Sequence, residues 1–307
     1  MLSALTGLAF AELTGRAPVI DWRDGTYGPL GVNAYPLLFE APPLTAPECF
    51  DAAQSVTPAI WSGQMGEDAI AMISRNDPNS HSSPTIYRKY CVDLSRLDAP
   101  EEVAVFWSYL PKFGRIAGHL RRHPAFAGRP IEAVMQDLLT RYFTPNARIR
   151  ARVEAILAEA RGPAGRPLIG VHIRYTDRKI PLGKVKAALR RRIAERPGAA
   201  IFLATDNAAV QAEMRAEFEG IVVAPKYLPE DGARLHSEHA TFDKTAEAES
   251  ALVDMWVLGR ADHLIYSKHS SFSVTSALLG GLGPGRIDDV DRFNLPVVVK
   301  RLVQNHV

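Results

Sequence analysis

Along most of this chain, short apolar runs alternate with longer stretches of helical period, and several of the runs end abruptly in polar residues. In the second half, Leu168 to Ile173, Ala200 to Ala204, Ile221 to Ala224 and His263 to Tyr266 read as buried strands. Between and after them, about Lys184 to Glu195, Ala208 to Phe218, Thr245 to Arg260 and Ser271 to Leu279 read as helices. Strand–helix alternation of this kind predicts a parallel α/β architecture. The first half is less regular. Leu2, Leu5, Leu8 and Leu13 recur at helical spacing and predict an opening helix that packs on a sheet and stops at Gly15. Ala17 to Trp22 and Val103 to Trp107 read as strands, and Ile131 to Phe143 and Ala147 to Ala160 as helices. Asn33 to Phe39 is a short helix or irregular, and Asn76 to Pro84 is an exposed polar loop. The clearest linker is Gly162 to Pro167, which predicts an N-terminal α/β domain over 1–163 and a second α/β domain over 164–307, with its last segment packing back on the first. A ligand cleft between the two halves is the corresponding expectation.

Composition narrows the class. The chain has 307 residues, 47% hydrophobic and 23% charged, as in ordinary globular proteins. Lys plus Arg number 36 against 34 Asp plus Glu, so any anion site is local, and no nucleic-acid partner is expected. The two cysteines, Cys49 and Cys91, lack metal-ligand spacing; a single disulfide is the alternative, but with no other sign of secretion free buried thiols are expected. No apolar run reaches the ~20 residues of a membrane helix. Ala9-Phe10-Ala11 resembles a processing site, but no basic region precedes it, so a cytoplasmic protein is expected. The oligomeric state is left open.

The candidate chemistry lies where strands end. After Leu168 to Val171 come His172, Arg174, Asp177, Arg178 and Lys179. Strand alternation puts His172 and Arg174 on one face. An arginine there can grip a phosphate through two parallel hydrogen bonds, or simply form a solvated pair with Asp177. At the end of the second strand, Asp206 can read a guanine edge or ribose hydroxyls, or cap the next helix together with Asn207. Ser267 to Ser273 leads from HLIY into a helix, and Ser270 and Ser271 can serve as an anion site or as plain caps. Three polar strand ends in one sheet suggest a nucleotide diphosphate at the carboxyl edge. Arg190, Arg191 and Arg192 form a solvated face or attract an acidic partner. Asp21, Arg23, Asp24 and His236 are weaker candidates for the opposite, acceptor-side wall, and the first three also fit a turn with an ion pair. His236 and His239 make poor metal ligands, and no metal is expected. GxSxG, Walker, HExxH and GxGxxG motifs are absent.

GVHIRYTDRK resembles the first motif of the α1,6-fucosyltransferases, His-x-Arg-Arg-x-Asp-Lys. LATDN resembles their second motif, and SALVDMWVLGRADHLIYSKHSSFSV their third, in the same order. GRAPVIDWRDGTYGPLGVNAYPLLFE is similar to the nodulation branch of that family. The resemblance implies a GT-B-like fold of two Rossmann-like domains and inverting, metal-independent transfer from GDP-fucose to a glycan acceptor, with a GlcNAc-containing glycan as the acceptor class. A transferase for another GDP-sugar and a degenerate nucleotide- or glycan-binding protein are the alternatives. By position, Arg174 would hold the β-phosphate, His172 and Asp206 would contact guanine, Arg178 would assist the diphosphate, and Ser270 and Ser271 would bind phosphate oxygens. Asp177, Asp24 and Glu238 are candidates for the general base. Departures are Tyr175 at the family's second Arg, Leu182 at the position of an acid in animal members, and Phe272 at a Gln. The family's first strand and Gly-rich diphosphate loop have no counterpart ahead of the opening helix, so either the true start lies upstream or the loop is lost.

Overall fold

The computed structural model of the protein describes residues 1–40, 42–78, 85–176, 179–228, 243–291 and 295–306. The chain divides into two compact units, Met1–Thr144 with Phe293–Val307, and Pro145–Arg292.

The first unit contains α1 (Ala4–Thr14), α2 (Tyr35–Leu38), β1 (Val56–Thr57), α3 (Ala69–Asn76), α4 (Tyr87–Tyr90), β2 (Val103–Ala104), α5 (Phe113–Arg122) and α6 (Ile131–Tyr142). Helix α1 ends at Gly15, whose φ of +67° no side chain adopts cheaply. It does not pack on a sheet, as its leucine spacing suggested. Its neighbours are α5 and α6, which bury Ile116 and Leu120, and Val134, Leu138 and Leu139. The strand expected over Ala17 to Trp22 is also absent. Its backbone is tied to a side chain instead: Trp22 N–H donates to Asn33 Oδ1 (3.0 Å), and Asn33 Nδ2 donates to Ile20 O (2.9 Å). Among the described residues the sheet of this unit is the parallel pair β1–β2, with Val56 opposite Val103. Val56, Trp61, Met72, Ile73 and Tyr90 form a core beside it.

The second unit runs α7 (Ala147–Arg161), β3 (Leu168–Ile173), α8 (Leu182–Glu195), β4 (Ala200–Thr205), α9 (Ala208–Glu217), β5 (Ile221–Val222), α10 (Lys244–Gly259), β6 (His263–Tyr266), α11 (Ser271–Leu279) and β7 (Ile287–Asp289). The strands form one parallel sheet in the order β5-β4-β3-β6-β7. Every residue of β3 and β4 is buried, which is why both read as unbroken apolar runs. One core lies between the sheet and α8 and α9, built from Val171, Ile173, Val185, Leu189, Leu203, Val210 and Met214. The division between the units falls before α7, not at the Gly162–Pro167 linker. Helix α7 packs on α10, where Arg148 and Arg152 pair with the buried Glu249. The last helix, α12 (Leu295–His306), belongs to the first unit and packs on α5.

The basic face of α8 is neutralised locally. Arg190 pairs with Glu217, Arg191 with Asp288, and Arg192 with Asp288 and Glu195. Both thiols are free, but only Cys91 is buried. Cys49 lies in an exposed turn over Pro47–Phe50. Among the described residues no helix is long and apolar enough to cross a membrane.

Candidate functional site

From β3 the chain proceeds outward through β4 to β5, then returns to place β6 on the other side of β3. The carboxyl ends of β3 and β6 therefore flank the point where the strand order reverses, the ligand position of open α/β sheets. His172, near the end of β3, is buried. Its Nδ1 lies 2.5 Å from Ser273 Oγ on α11, and its ring stacks on Phe272 at 4.7 Å and 20°. Burial, reinforced by the positive charges of Lys226 and Arg174, pushes the imidazole pKa down to about 3. His172 is therefore a neutral hydrogen-bonding group. Arg174, just past the strand, is half-buried and close enough to contribute to that field.

Across the reversal point, Ser270 caps α11 by position but not by side chain. Its Oγ is buried and has no hydrogen-bond partner. Such a group costs free energy unless a ligand satisfies it. Ser271, at the first turn, is exposed. The loop before them is anchored from β7. Asp291 Oδ2 accepts from Ser267 Oγ (2.7 Å) and His269 N (3.0 Å), and Asp289 pairs with Lys268 at 2.8 Å.

Asp206 does not cap α9, since Asn207 accepts from Val210 N (3.0 Å). Its carboxylate instead receives the N–H groups of Tyr175 (2.7 Å) and Thr176 (3.4 Å), while Thr176 Oγ1 donates to its carbonyl (3.0 Å). The acid thus holds the start of the β3–α8 loop. A second acid is tied to Lys226, whose charge acts on His172. Lys226, which follows β5, pairs with Asp254 of α10 at 2.5 Å. Asp254 is buried, its Oδ1 has no partner, and burial raises its pKa despite the opposing pull of Lys226.

His172, Arg174, Ser270 and Ser271 thus gather at one sheet edge. Asp177, Arg178, His236 and Glu238 lie outside the described residues, as does most of the polar loop ending at Pro84. Asp21, Arg23 and Asp24 belong to the first unit, where Arg23 bridges Asp21 and Asp51, both at 2.8 Å. These two carboxylates hold its guanidinium charged, and Arg23 holds the Asp51 pKa below the usual range. Asp24 accepts from Thr26 N (2.9 Å) in a turn. Lys226, Asp254, Asp289 and Asp291 were not expected from the sequence. Asp254 carried a signal all the same, as a lone acid inside the apolar run ALVDMWVL. Among the described residues no group of three or more His, Cys, Asp or Glu is arranged to hold a metal.

A buried hydroxyl at a helix N-terminus, a cation past the central strand and a neutral imidazole are set at the reversal of a parallel sheet, the ligand position of doubly wound α/β proteins. The chain belongs to the NodZ family: the profile of nodulation protein Z matches residues 132–293, just over half of its length. Among solved structures, a fucosyltransferase NodZ from Bradyrhizobium is 24% identical, with a TM-score of 0.63 over 95% of this chain and 89% of that one. A NodZ α1,6-fucosyltransferase crystal soaked with GDP-fucose is 22% identical, with a TM-score of 0.60 over 90% of this chain and 86% of that one. These likenesses give the chain a GT-B-like α/β fold. No curated protein matches it.

Proposed function

We propose that the chain is an inverting, metal-independent glycosyltransferase that moves fucose from GDP-fucose to a glycan acceptor. The observation that carries this reading is the buried, unpartnered Ser270 hydroxyl at the α11 N-terminus, two residues before Phe272, whose ring stacks on His172. Family membership and the NodZ α1,6-fucosyltransferase of similar fold that was soaked with GDP-fucose support the choice of donor.

In this reading the GDP diphosphate lies between the end of β3 and the start of α11. Arg174, permanently charged, holds the β-phosphate and neutralises the leaving group as the glycosidic bond breaks. Ser270 Oγ and the first N–H groups of α11, with Ser271, take phosphate oxygens. Arg178 assists from the same loop in sequence. His172 offers its neutral ring to the base. The guanine N1–H and N2–H edge needs a carboxylate acceptor, and Asp254 Oδ1 has the open lone pairs. Asp206, already receiving two backbone N–H groups, shapes the loop instead. Asp177 is the candidate base toward the acceptor hydroxyl, and a GlcNAc-containing glycan is the acceptor class. With Arg23 and Asp21 locked in a brace, the acceptor-side role falls to Asp24 and His236.

Calorimetry with GDP, followed by transfer assays with GDP-fucose and other GDP-sugars, tests the reading. Arg174→Ala is expected to lower transfer by roughly 10²–10³-fold, the cost of removing one transition-state donor, with an unchanged circular dichroism spectrum. Folded wild-type protein that binds no GDP would sink it.

A further inference from the structure

The first unit carries a half-open cavity of about 390 Å³ that plays no part in the donor reading. Three cations line it: Arg88, Lys112 and Arg115. Lys112 is the unusual one. It sits at the start of α5 with 1% of its surface exposed, its Nζ donates to Gln304 O, and it lies 4.1 Å above the Tyr87 ring. Among the described residues no carboxylate pairs with it. A buried ammonium has three donors to satisfy and is costly without a counter-charge.

The neighbours do not supply that charge. The acid in the lining, Asp93, is engaged by Ser95 N (3.0 Å), Ser95 Oγ (2.7 Å) and Arg115 (3.1 Å). Cys91 stays a neutral thiol, because burial pushes its pKa up to about 12 while Sγ donates to Trp107 O at 2.7 Å. Burial, with repulsion from Arg115 and Arg88, in turn draws Lys112 down to about 8. The N-terminal end of α5 adds positive potential at the same place. A bare ion does not need this much room, since a water occupies about 30 Å³ of liquid. The remaining wall is apolar, from Tyr87, Val92 and Leu94.

We propose that this cavity binds a small organic oxyanion, a sugar acid or a sugar phosphate. Lys112, Arg88 and Arg115 receive the charged group, and the apolar wall covers the carbon skeleton. The oxyanion can be a free metabolite or a residue of a larger glycan, and both present the same chemistry.

The test is calorimetric titration of the Arg174→Ala protein with glucuronate, glucose 6-phosphate, inorganic sulfate and glucose. The Arg174→Ala background, with saturating GDP as a parallel condition, separates this cavity from the sheet edge, so the outcome is independent of the donor reading. Saturable binding of glucuronate or glucose 6-phosphate, absent with glucose and weakened at least about tenfold by Arg88→Gln and by Lys112→Met, supports the site. If Lys112→Met does not fold, the exposed Arg88 decides through its variant alone. Tighter binding of a glucuronate-terminated oligosaccharide than of free glucuronate identifies the glycan-borne form, and equal binding the free one; both support the proposal. Binding of sulfate alone, no saturable binding, or binding unchanged in Arg88→Gln overturns it.

Discussion

His172 shows how one residue's surroundings set its chemistry. In the unfolded chain its imidazole takes a proton near 6.5, but in the fold only near about 3. Between those values the unfolded state binds more protons, so stability rises with pH there and is lost on acidification. One such group contributes a slope of up to about 1.4 kcal/mol per pH unit. We expect urea unfolding between pH 6 and 4 to lose stability steeply, and His172→Asn to flatten that loss. An unchanged slope in the variant would contradict the buried neutral ring. Phe272 covers that ring. Phe272→Ala is expected to cost roughly 1–2 kcal/mol of stability and to weaken GDP binding, both read in one thermal-shift series with and without GDP. His172, Arg174 and Ser270 were legible because each breaks an apolar run at a strand end. The Lys226–Asp254 pair was not, because its members lie on separate elements and meet only through the fold. Asp206 was legible as important but not in its role, since nothing in LATDN reveals which backbone N–H groups it meets.

At the scale of elements, close approach decides what the sheet tolerates. A Cβ on Gly170 of β3 would stand 3.0 Å from Ala261 Cβ and 3.1 Å from Leu258 Cδ2, whereas one on Gly280 would fall 2.0 Å from the Gly259 carbonyl. Side chains can yield and backbone cannot. We expect Gly170→Ala to cost about 1–3 kcal/mol and Gly280→Ala to cost more, measured as urea midpoints; the reverse order would refute the packing argument. The β6–α11 loop depends on Asp291. Asp291→Ala is expected to weaken GDP binding about tenfold through the misplaced loop, at a smaller cost in Tm. Fully buried strands and amphipathic helices made the second unit readable nearly element by element. The first unit resisted because its strands are two residues long and its cores rest on turns, so no period marks them.

Over the whole molecule, each unit has its own core. Under the donor reading, GDP should slow amide exchange in peptides covering 168–176, 200–207 and 263–276 while leaving 113–122 unchanged. Protection centred on the first unit would overturn the assignment of the donor edge. The sequence marked the Gly162–Pro167 turn as the border because it is the strongest break in pattern. The true division was hidden because α7 looks like any helix until its arginines meet Glu249. The grouping of α12 with α5 also bears on how the protein is made. The second unit interrupts the first, so α12 is made only after the whole of the second unit. Domains ordinarily fold in order of synthesis, but here the second unit has its whole chain available before the first is complete. The first unit must wait through that synthesis with the α12 side of α5 uncovered, and it is the unit a chaperone would have to guard.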